Sequence, residues 1–322
     1  MFRIGDLTVP SPVILAPMAG ITDLPFRRIA RSFGCAFAFV EMISARALVY
    51  QSKKTEKMLS TVPEDRPLGV QLLGNDPQVL MKAIEKLHEY RFDLLDFNAA
   101  CPASKVTGKG KGAGLLKEPA RLRDLLKVIV AEAHVPVTVK IRAGWDEATV
   151  NAREVALYAQ DAGIQGLFIH GRTRAQRYSG RVDYGVIRSV KEAVAIPVIA
   201  SGDAFSPLLV KKMFDETGCD GVAIARGALG NPWLFRSILE FLRSGLSLPA
   251  PDRSEVADTM TRHLDSCISV YGEKVGTILF RKFFAWYTRG ITGMKPLRDK
   301  AFRAETREQM VASVDEIRVK AY

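Results

Sequence analysis

Eight short apolar runs recur along the first three quarters of the chain, separated by helical stretches. The runs occupy residues 13–16, 37–41, 68–72, 94–98, 135–141, 166–170, 196–200 and 221–225. Each run is largely apolar and continuous rather than alternating, which is typical of strands buried on both faces of a parallel sheet. The stretches between them, such as 77–90 and 120–133, have helical periodicity. Eight strand–helix units in about 240 residues predict an α/β fold, a (β/α)8 TIM barrel.

A doubly wound open sheet is the alternative, but no Gly-x-Gly-x-x-Gly segment follows the first apolar run. In a barrel, the active site lies at the carboxyl ends of the strands, where side chains from all eight strands converge on one rim. Here those ends are rich in polar residues and glycine. They comprise Pro17, Met18, Ala19, Glu41, Gln71, Asn98, Lys140, Arg142, His170, Ser201, Gly202, Asp203, Ala225, Arg226 and Gly227.

The rest of the chain predicts a second, smaller unit. Residues 248–251 form a Leu-Pro-Ala-Pro breaker, and the sequence beyond Ser254 has helical periodicity with no strand-like run. We therefore expect a barrel domain over residues 1–244 and a small C-terminal helical domain over residues 245–322.

Positive charge is concentrated in a few segments. The net charge is +11, and residues 274–307 contain nine Lys or Arg against two acids. Residues 172–181 contain four arginines and no acid, and Lys105, Lys109 and Lys111 form a third acid-free group. A basic balance of this kind favours anionic partners such as nucleic acid.

Composition excludes several other classes of protein. No apolar run reaches the length of about 18 residues that a membrane span needs, and the N-terminus lacks the layout of a secretory signal. The four cysteines are far apart and none forms a Cys-x-x-Cys pair, which argues against a metal site and a disulfide framework. We expect a cytoplasmic protein that needs no metal, no membrane and no obligate protein partner.

One cysteine stands apart from the other three. Cys101 follows the fourth apolar run, and Pro102 holds it in a loop rather than a helix. The loop continues through a stretch rich in glycine and lysine, residues 105–114. A free thiol at the rim is a candidate acid, base or nucleophile, whereas Cys35, Cys219 and Cys267 are expected to be buried.

Several rim residues predict an anionic, phosphate-bearing ligand. A lysine that ends a buried strand, such as Lys140, needs an anionic partner, and His170 lies on the same rim. In barrels, the loops after the seventh and eighth strands often bind phosphate through backbone N–H groups. The glycines at 202 and 227, with Arg226 beside them, suit that task.

Taken together, these segments resemble the tRNA-dihydrouridine synthase family over essentially the whole chain. The matching segments are residues 16–23, Asn98-x-x-Cys101-Pro102, 139–145, 170–174, Gly202-Asp203 and Arg226-Gly227, with Gln71, Val106, Gly112, Ala113 and Gly180 between them. The family joins an FMN-binding barrel to a C-terminal helical RNA-binding domain, which agrees with the division of this chain. The resemblance implies tRNA as partner, FMN as cofactor and NADPH as reductant.

The resemblance also implies a role for individual residues. Pro17, Met18 and Ala19 would line the flavin ring, and Gln71, Lys140 and His170 would contact its polar edge or chain. The phosphate region would be held by Ser201, Gly202, Asp203, Ala225 and Arg226. Asn98, Arg142 and Tyr178 would position the flipped uracil, and Arg281 and Lys282 would contact RNA.

The implied reaction assigns a proton to Cys101. NADPH would reduce FMN, the flavin N5 would deliver hydride to uracil C6, and the Cys101 thiol would protonate C5. A cysteine thiol suits this step because free cysteine is largely protonated at neutral pH. Two positions depart from the family pattern, since Ala100 replaces a glycine and Ser201 replaces an asparagine.

Two other functions compete with this interpretation. The first is an FMN barrel reductase that acts on a small molecule, such as a dihydroorotate dehydrogenase or an enoate reductase. The second is a non-catalytic RNA-binding protein that keeps the barrel. The basic helical tail argues against the first, and the retention of Cys101 with Lys140 argues against the second.

Overall fold

A closed barrel of eight parallel strands dominates the computed structural model, which describes residues 1–319. The strands are β1 (Phe2–Ile4), β2 (Leu7–Val9), β3 (Val13–Leu15), β4 (Ala38–Ser44), β5 (Leu68–Leu73), β6 (Leu94–Asn98), β7 (Val137–Arg142), β8 (Gly166–His170), β9 (Val198–Ser201) and β10 (Gly221–Ile224). The barrel order is β10-β3-β4-β5-β6-β7-β8-β9. Each apolar run overlaps one barrel strand, so the predicted barrel is confirmed and the open sheet was the wrong alternative.

Aromatic side chains fill the amino-terminal half of the barrel. Phe37, Phe39 and Phe168 pack edge to face, with successive ring centroids 5.2 and 5.4 Å apart. Glycine is required at position 69, because a Cβ there would overlap the Phe39 ring. This packing makes the interior a solid core and leaves space only towards the carboxyl ends of the strands.

The hairpin of β1 and β2 was not predicted from the sequence. It pairs antiparallel, and its Ile4 and Val9 are buried in the same cluster as Phe37 and Phe168. Each strand has only three residues, too few for a periodic pattern to be recognised. The hairpin therefore covers the amino-terminal end of the barrel, opposite the polar rim.

Helices surround the barrel and form the C-terminal region. They are α1 (Leu24–Ser32), α2 (Ala45–Val49), α3 (Lys53–Met58), α4 (Pro77–Leu87), α5 (Ser104–Thr107), α6 (Pro119–Glu132), α7 (Ala152–Asp161), α8 (Tyr184–Ala193), α9 (Pro207–Thr217), α10 (Trp233–Ser244), α11 (Arg253–Tyr271), α12 (Glu273–Tyr287), α13 (Lys295–Ala301) and α14 (Arg307–Val319). Local sequence determines where helices begin. At α4, for example, the Asp76 side chain caps the helix and Pro77 occupies its first turn. No helix within residues 1–319 is both long and apolar enough to cross a membrane.

An aromatic cluster joins the C-terminal helices to the barrel. Phe26 of α1 stacks on Phe283 of α12 with centroids 5.8 Å apart, and Trp233 of α10 packs edge-on against Tyr287. His263 lies within this cluster, and burial lowers its pKa to about 3, so it is neutral. The predicted helical C-terminal region is thus present and packs firmly on the barrel. The breaker at 248–251 lies in the irregular segment between α10 and α11, and residues 320–322 of the predicted second domain lie outside the described residues.

Candidate active site

A cavity of about 450 Å³ opens at the carboxyl ends of the barrel strands. Its lining includes every barrel residue to which the sequence assigned a role. These are Pro17, Met18, Ala19, Gln71, Asn98, Cys101, Lys140, Arg142, His170, Tyr178, Ser201, Gly202, Asp203, Ala225 and Arg226. The barrel brings them together because all follow the ends of parallel strands. Met42 and Phe205 also line the cavity, and sequence reasoning missed both because apolar residues at strand ends carry no chemical signal.

Cys101 differs from the other cysteines in its access to solvent. Cys35, Cys219 and Cys267 are buried, whereas Cys101 is partly exposed and lines the cavity. The carbonyl of Cys101 accepts the N–H of Ala113 at 3.1 Å. Gly112 makes that approach feasible, since its φ is +56° and a Cβ there would lie 2.8 Å from the Cys101 carbonyl oxygen.

A buried chain of hydrogen bonds ends at the Cys101 backbone. Asp96 accepts from Thr138 Oγ1 and from Gln71 Nε2, both at 2.7 Å. Gln71 Oε1 in turn accepts from Asn98 Nδ2 at 2.7 Å, and Asn98 Oδ1 accepts the Cys101 N–H at 2.9 Å. Because an ionised carboxylate only accepts, Asp96 fixes the orientation of both amides. Burial raises the pKa of Asp96 to about 6.

This series of hydrogen bonds occupies the Asn98 side chain within the protein. Its Oδ1 also accepts the Ala100 N–H at 3.0 Å, and its Nδ2 lies 3.3 Å from Met42 Sδ. Both ends of the amide are therefore engaged. Sequence reasoning missed Asp96 as the origin of the chain, although a carboxylate within a buried apolar strand was a usable signal.

Arg142 is also engaged by the protein. Its guanidinium is buried and donates to the carbonyls of Ala100, Thr173 and Arg177 at 2.8, 3.0 and 2.9 Å. Its Nη2 makes no hydrogen bond to a described residue. Burial lowers the pKa of Arg142 to about 10. Arg142 thus ties the Cys101 loop to the loop after β8.

Lys140 and His170 lack hydrogen-bond partners among the described residues. Burial, followed by the nearby Arg142, lowers the pKa of Lys140 to about 8. The buried Nε2 of His170 is unpartnered, and burial together with the charge of Lys140 depresses the pKa of His170, which is neutral. Buried polar atoms without partners are rare, so His170 Nε2 indicates a ligand in the cavity that the half-buried Lys140 also lines.

Asp203 holds two arginines at the far end of the cavity. Arg172 donates to both carboxylate oxygens of Asp203 at 2.9 and 2.6 Å. Arg226 Nη2 lies 3.6 Å from Asp203 Oδ1. The backbone turns sharply here, with φ of +113° at Gly202 and +52° at Asp203. A Cβ at Gly202 would lie 2.7 Å from the His170 ring. The carboxylate therefore organises positive charge, and glycine lets the backbone approach His170 closely.

The two departures from the family pattern fit this geometry. Ala100 is not among the described residues with positive φ, so its backbone imposes no need for glycine. The Ser201 hydroxyl donates to the carbonyl of Ile169 at 3.0 Å and is engaged within the barrel.

Tyr178 forms an aromatic contact at the mouth of the cavity. Its side chain is 54% exposed, and the Arg226 guanidinium lies 4.5 Å from its ring centroid. Arg226 also lies 5.4 Å from the Phe205 ring centroid. These two exposed rings and one arginine offer a stacking surface.

Arg281 and Lys282 are the two predicted contacts that do not line the cavity. Arg281 donates twice to the carbonyl of Ala304, at 3.0 and 2.7 Å, which joins α12 to the end of α13. Lys282 donates to the carbonyl of Gly20 at 2.6 Å. Both side chains therefore have partners within the protein.

Comparison with solved structures shows a common fold. The chain resembles the old yellow enzyme homologue from Zymomonas mobilis with a TM-score of 0.57 and 12% identity, over 79% of this chain and 97% of that one. It resembles histamine dehydrogenase from Rhizobium sp. 4-9 with a TM-score of 0.58 and 13% identity, over 82% of this chain and 50% of that one. At such identities the likeness shows the barrel fold alone.

Sequence relatives are much closer. The chain is 40% identical to the tRNA-dihydrouridine synthase B of Pseudomonas aeruginosa over 97% of this chain and 94% of that protein. It is 38% identical to a probable tRNA-dihydrouridine synthase of Rickettsia conorii, over 92% of this chain and 90% of that protein. The family model for dihydrouridine synthase matches residues 14–321. The resemblance read from the motifs is thereby confirmed, and the chain belongs to the dihydrouridine synthase family.

Proposed function

We propose that this enzyme reduces a uridine of tRNA to 5,6-dihydrouridine, with FMN as cofactor, NADPH as reductant and Cys101 as proton donor. The observation that carries the proposal is a partly exposed thiol on the wall of a cavity that also holds the unpartnered Lys140 and His170. The names of the relatives supply the substrate.

The residues of the cavity fit FMN. The half-buried Lys140 makes no side-chain hydrogen bond to a described residue, and the buried Nε2 of His170 is unpartnered, as expected of groups that bind a polar ring edge or a phosphate chain. Gly202 and Gly227 let the loops at the cavity wall pack closely, since a Cβ at Gly202 would lie 2.7 Å from the His170 ring and one at Gly227 would overlap the Ala204 carbonyl oxygen. We assign the residues as the family resemblance implies. Pro17, Met18 and Ala19 face the ring, Gln71, Lys140 and His170 face its polar edge, and Ser201, Gly202, Asp203, Ala225 and Arg226 surround the phosphate.

Cys101 performs the acid step. FMN, when bound, supplies a hydride donor that NADPH regenerates. The Cys101 thiol gives its proton to C5 of uracil, and the thiolate recovers a proton from solvent, so one hydride and one proton are added in total. Lys140 contributes positive charge on the cavity wall, which favours an anionic cofactor. Arg142 and Asn98 hold the Cys101 loop, and Tyr178 offers a ring to the flipped base.

The C-terminal helices are proposed to bind RNA. Residues 245–322 form the RNA-binding domain in this proposal, and residues 1–244 the catalytic domain. The basic stretch 274–307, including Arg281, supplies charge for phosphate contacts. Since tRNA is the proposed substrate, we place the enzyme in the cytoplasm.

A reconstituted reaction tests the proposal. Purified protein is loaded with FMN and incubated with NADPH and an unmodified tRNA transcript, and dihydrouridine is measured by mass spectrometry. We expect FMN absorbance in the protein and one dihydrouridine peak that depends on NADPH. Failure to bind FMN would contradict every flavin-based function. FMN binding with no dihydrouridine in tRNA or ribosomal RNA would favour a small-molecule reductase.

A further inference from the structure

The backbone of Gly20 is held on both sides by charged side chains from distant parts of the chain. Its N–H donates to Glu41 Oε2 on β4. Its carbonyl accepts from Lys282 Nζ on α12 at 2.6 Å. One residue of the cavity-lining loop is thus gripped between the barrel and the C-terminal helices.

Gly20 is rigidly connected to the residues that line the cavity. The Met18 carbonyl accepts the N–H groups of Ile21 and Thr22 at 3.0 and 3.1 Å. Thr22 Oγ1 accepts the Met18 N–H at 3.1 Å. These bonds form a tight turn, so a shift of Gly20 moves Met18 and its neighbours Pro17 and Ala19.

Two buried carboxylates and one ammonium group lie around Gly20. Glu41 is 8% exposed, and burial raises its pKa, while the Gly20 bond and the nearby Lys282 oppose that effect. Asp23, also buried, accepts from Tyr271 Oη of α11 at 3.1 Å. The Lys282 ammonium additionally lies 4.7 Å from the Phe283 ring centroid, which fixes its position. A lysine held by these contacts is poorly placed to serve as a free phosphate ligand.

We propose that Lys282 is a positioning residue that holds the 17–22 turn against the flavin site, rather than the RNA phosphate contact expected from its place in the basic stretch. Docking of the C-terminal helices then sets the geometry of the cavity wall. The proposal rests on the proposed flavin function for its cofactor readout, whereas its backbone readout is independent of any cofactor.

Protection of backbone N–H groups from hydrogen exchange measures directly how firmly Lys282 holds the 17–22 turn. In Lys282→Met, hydrogen–deuterium exchange in the FMN-free protein should become about tenfold faster in the peptide that contains residues 16–22. Lys274→Met is the matched control, because Lys274 lies on the same helix, is highly exposed and, among the described residues, forms an ion pair with Glu305 at 3.6 Å. Exchange in that control should equal the parent protein. Equal exchange in Lys282→Met and the parent would overturn the proposal.

Cofactor and RNA binding separate the two roles of Lys282. For Lys282→Met we expect an FMN dissociation constant about tenfold higher, the size of one charge-assisted hydrogen bond. The slope of log K for tRNA binding against log salt should not change. A phosphate contact would instead reduce that slope by about 0.7 to 0.9 with FMN affinity intact, and this result would refute the positioning role.

A conservative variant provides the rescue. Lys282→Arg keeps the charge and a donor for the Gly20 carbonyl, so it should recover most of the FMN affinity and the slow exchange. If Lys282→Arg exchanged as fast as Lys282→Met, a role through hydrogen bonding and charge would be contradicted. If the parent protein itself bound no FMN, the proposed function would fail. The exchange result would still decide whether Lys282 holds the 17–22 turn.

Discussion

At the residue scale, the polar side chains of the site differ in whether they already form hydrogen bonds within the protein. Asn98 and Arg142 are bonded to backbone groups of the Cys101 loop. Lys140 and His170 have no such partners. The first pair therefore shapes the site, and the second pair is available to a ligand.

Replacement of Cys101 tests the acid role. Cys101→Ala should retain FMN and NADPH oxidation but reduce uridine about 100-fold or more slowly, the range for loss of a general acid. Single-turnover mass spectrometry of dihydrouridine measures this. Cys219→Ala is the control, because that thiol is buried and does not line the cavity. Full uridine turnover in Cys101→Ala would remove the thiol from the mechanism.

Asp96 has a pH-dependent effect on stability. Its pKa is raised from 3.8 to about 6, so the folded state favours the protonated form, and this contribution is present at acid pH and is lost as the pH rises through 6. Relative to Asp96→Asn, the parent protein should lose roughly 1–2 kcal/mol of unfolding free energy between pH 5 and pH 8. Urea denaturation of both proteins measures the difference. A pH-independent difference would show that the Asp96 pKa is not raised.

At the element scale, neighbouring segments hold the loop that carries Cys101. The 3₁₀ helix Gly112–Lys117 bonds to the Cys101 carbonyl through Ala113. Arg174 Nη2 and Arg177 Nη2 donate to Thr107 and Ser104 of the same region at 3.2 and 3.1 Å. The Cys101 loop is thereby held in place by its neighbours.

Gly112 provides a test of that bracing. Gly112→Ala adds a Cβ that would lie 2.8 Å from the Cys101 carbonyl at a φ of +56°. We expect loss of about 1–2 kcal/mol of stability and a fall in uridine reduction of about tenfold or more. Gly245→Ala is the control, with φ +75° and nothing within 4 Å. It should lose stability only. Equal uridine reduction in both variants would show that the loop position is not critical.

At the scale of the whole molecule, the C-terminal helices and the barrel behave as one packed body. The aromatic contact of Phe26 with Phe283 and the Lys282 bond to Gly20 both cross the junction. The same region carries exposed cations, among them Arg289 in the turn after α12 and Lys295 on α13, which make no ion pair with a described residue. Under the proposed function, this junction would hold RNA bound by the helices at a fixed distance from the cavity.

Salt dependence tests the RNA surface. The double variant Arg289→Gln/Lys295→Gln should weaken tRNA binding and reduce the slope of log K against log salt by about 0.7 to 0.9 for each phosphate that is no longer neutralised. Fluorescence anisotropy over a salt series measures this. Lys211→Gln is the control, since Lys211 lies on α9 and pairs with Asp215 at 2.7 Å. An unchanged slope in the double variant would move the RNA surface elsewhere.

The sequence by itself determined the barrel and the membership of its rim. Eight largely apolar runs separated by helical stretches predict strands buried on both faces, and closure then brings residues such as Cys101 and His170 to one edge, whatever their spacing in the chain. These are consequences of local pattern and chain order, so they are readable without coordinates.

Only the tertiary structure decided which partners the polar side chains of the protein have. The bonds from Asp96 to Gln71 and from Lys282 to Gly20 join positions 25 and 262 residues apart. No local pattern specifies such pairs, because hydrogen-bond partners are chosen by distance and orientation after folding. For that reason the Lys282 bond to Gly20, on which we base the proposed positioning role, could not be predicted from the basic stretch that contains Lys282.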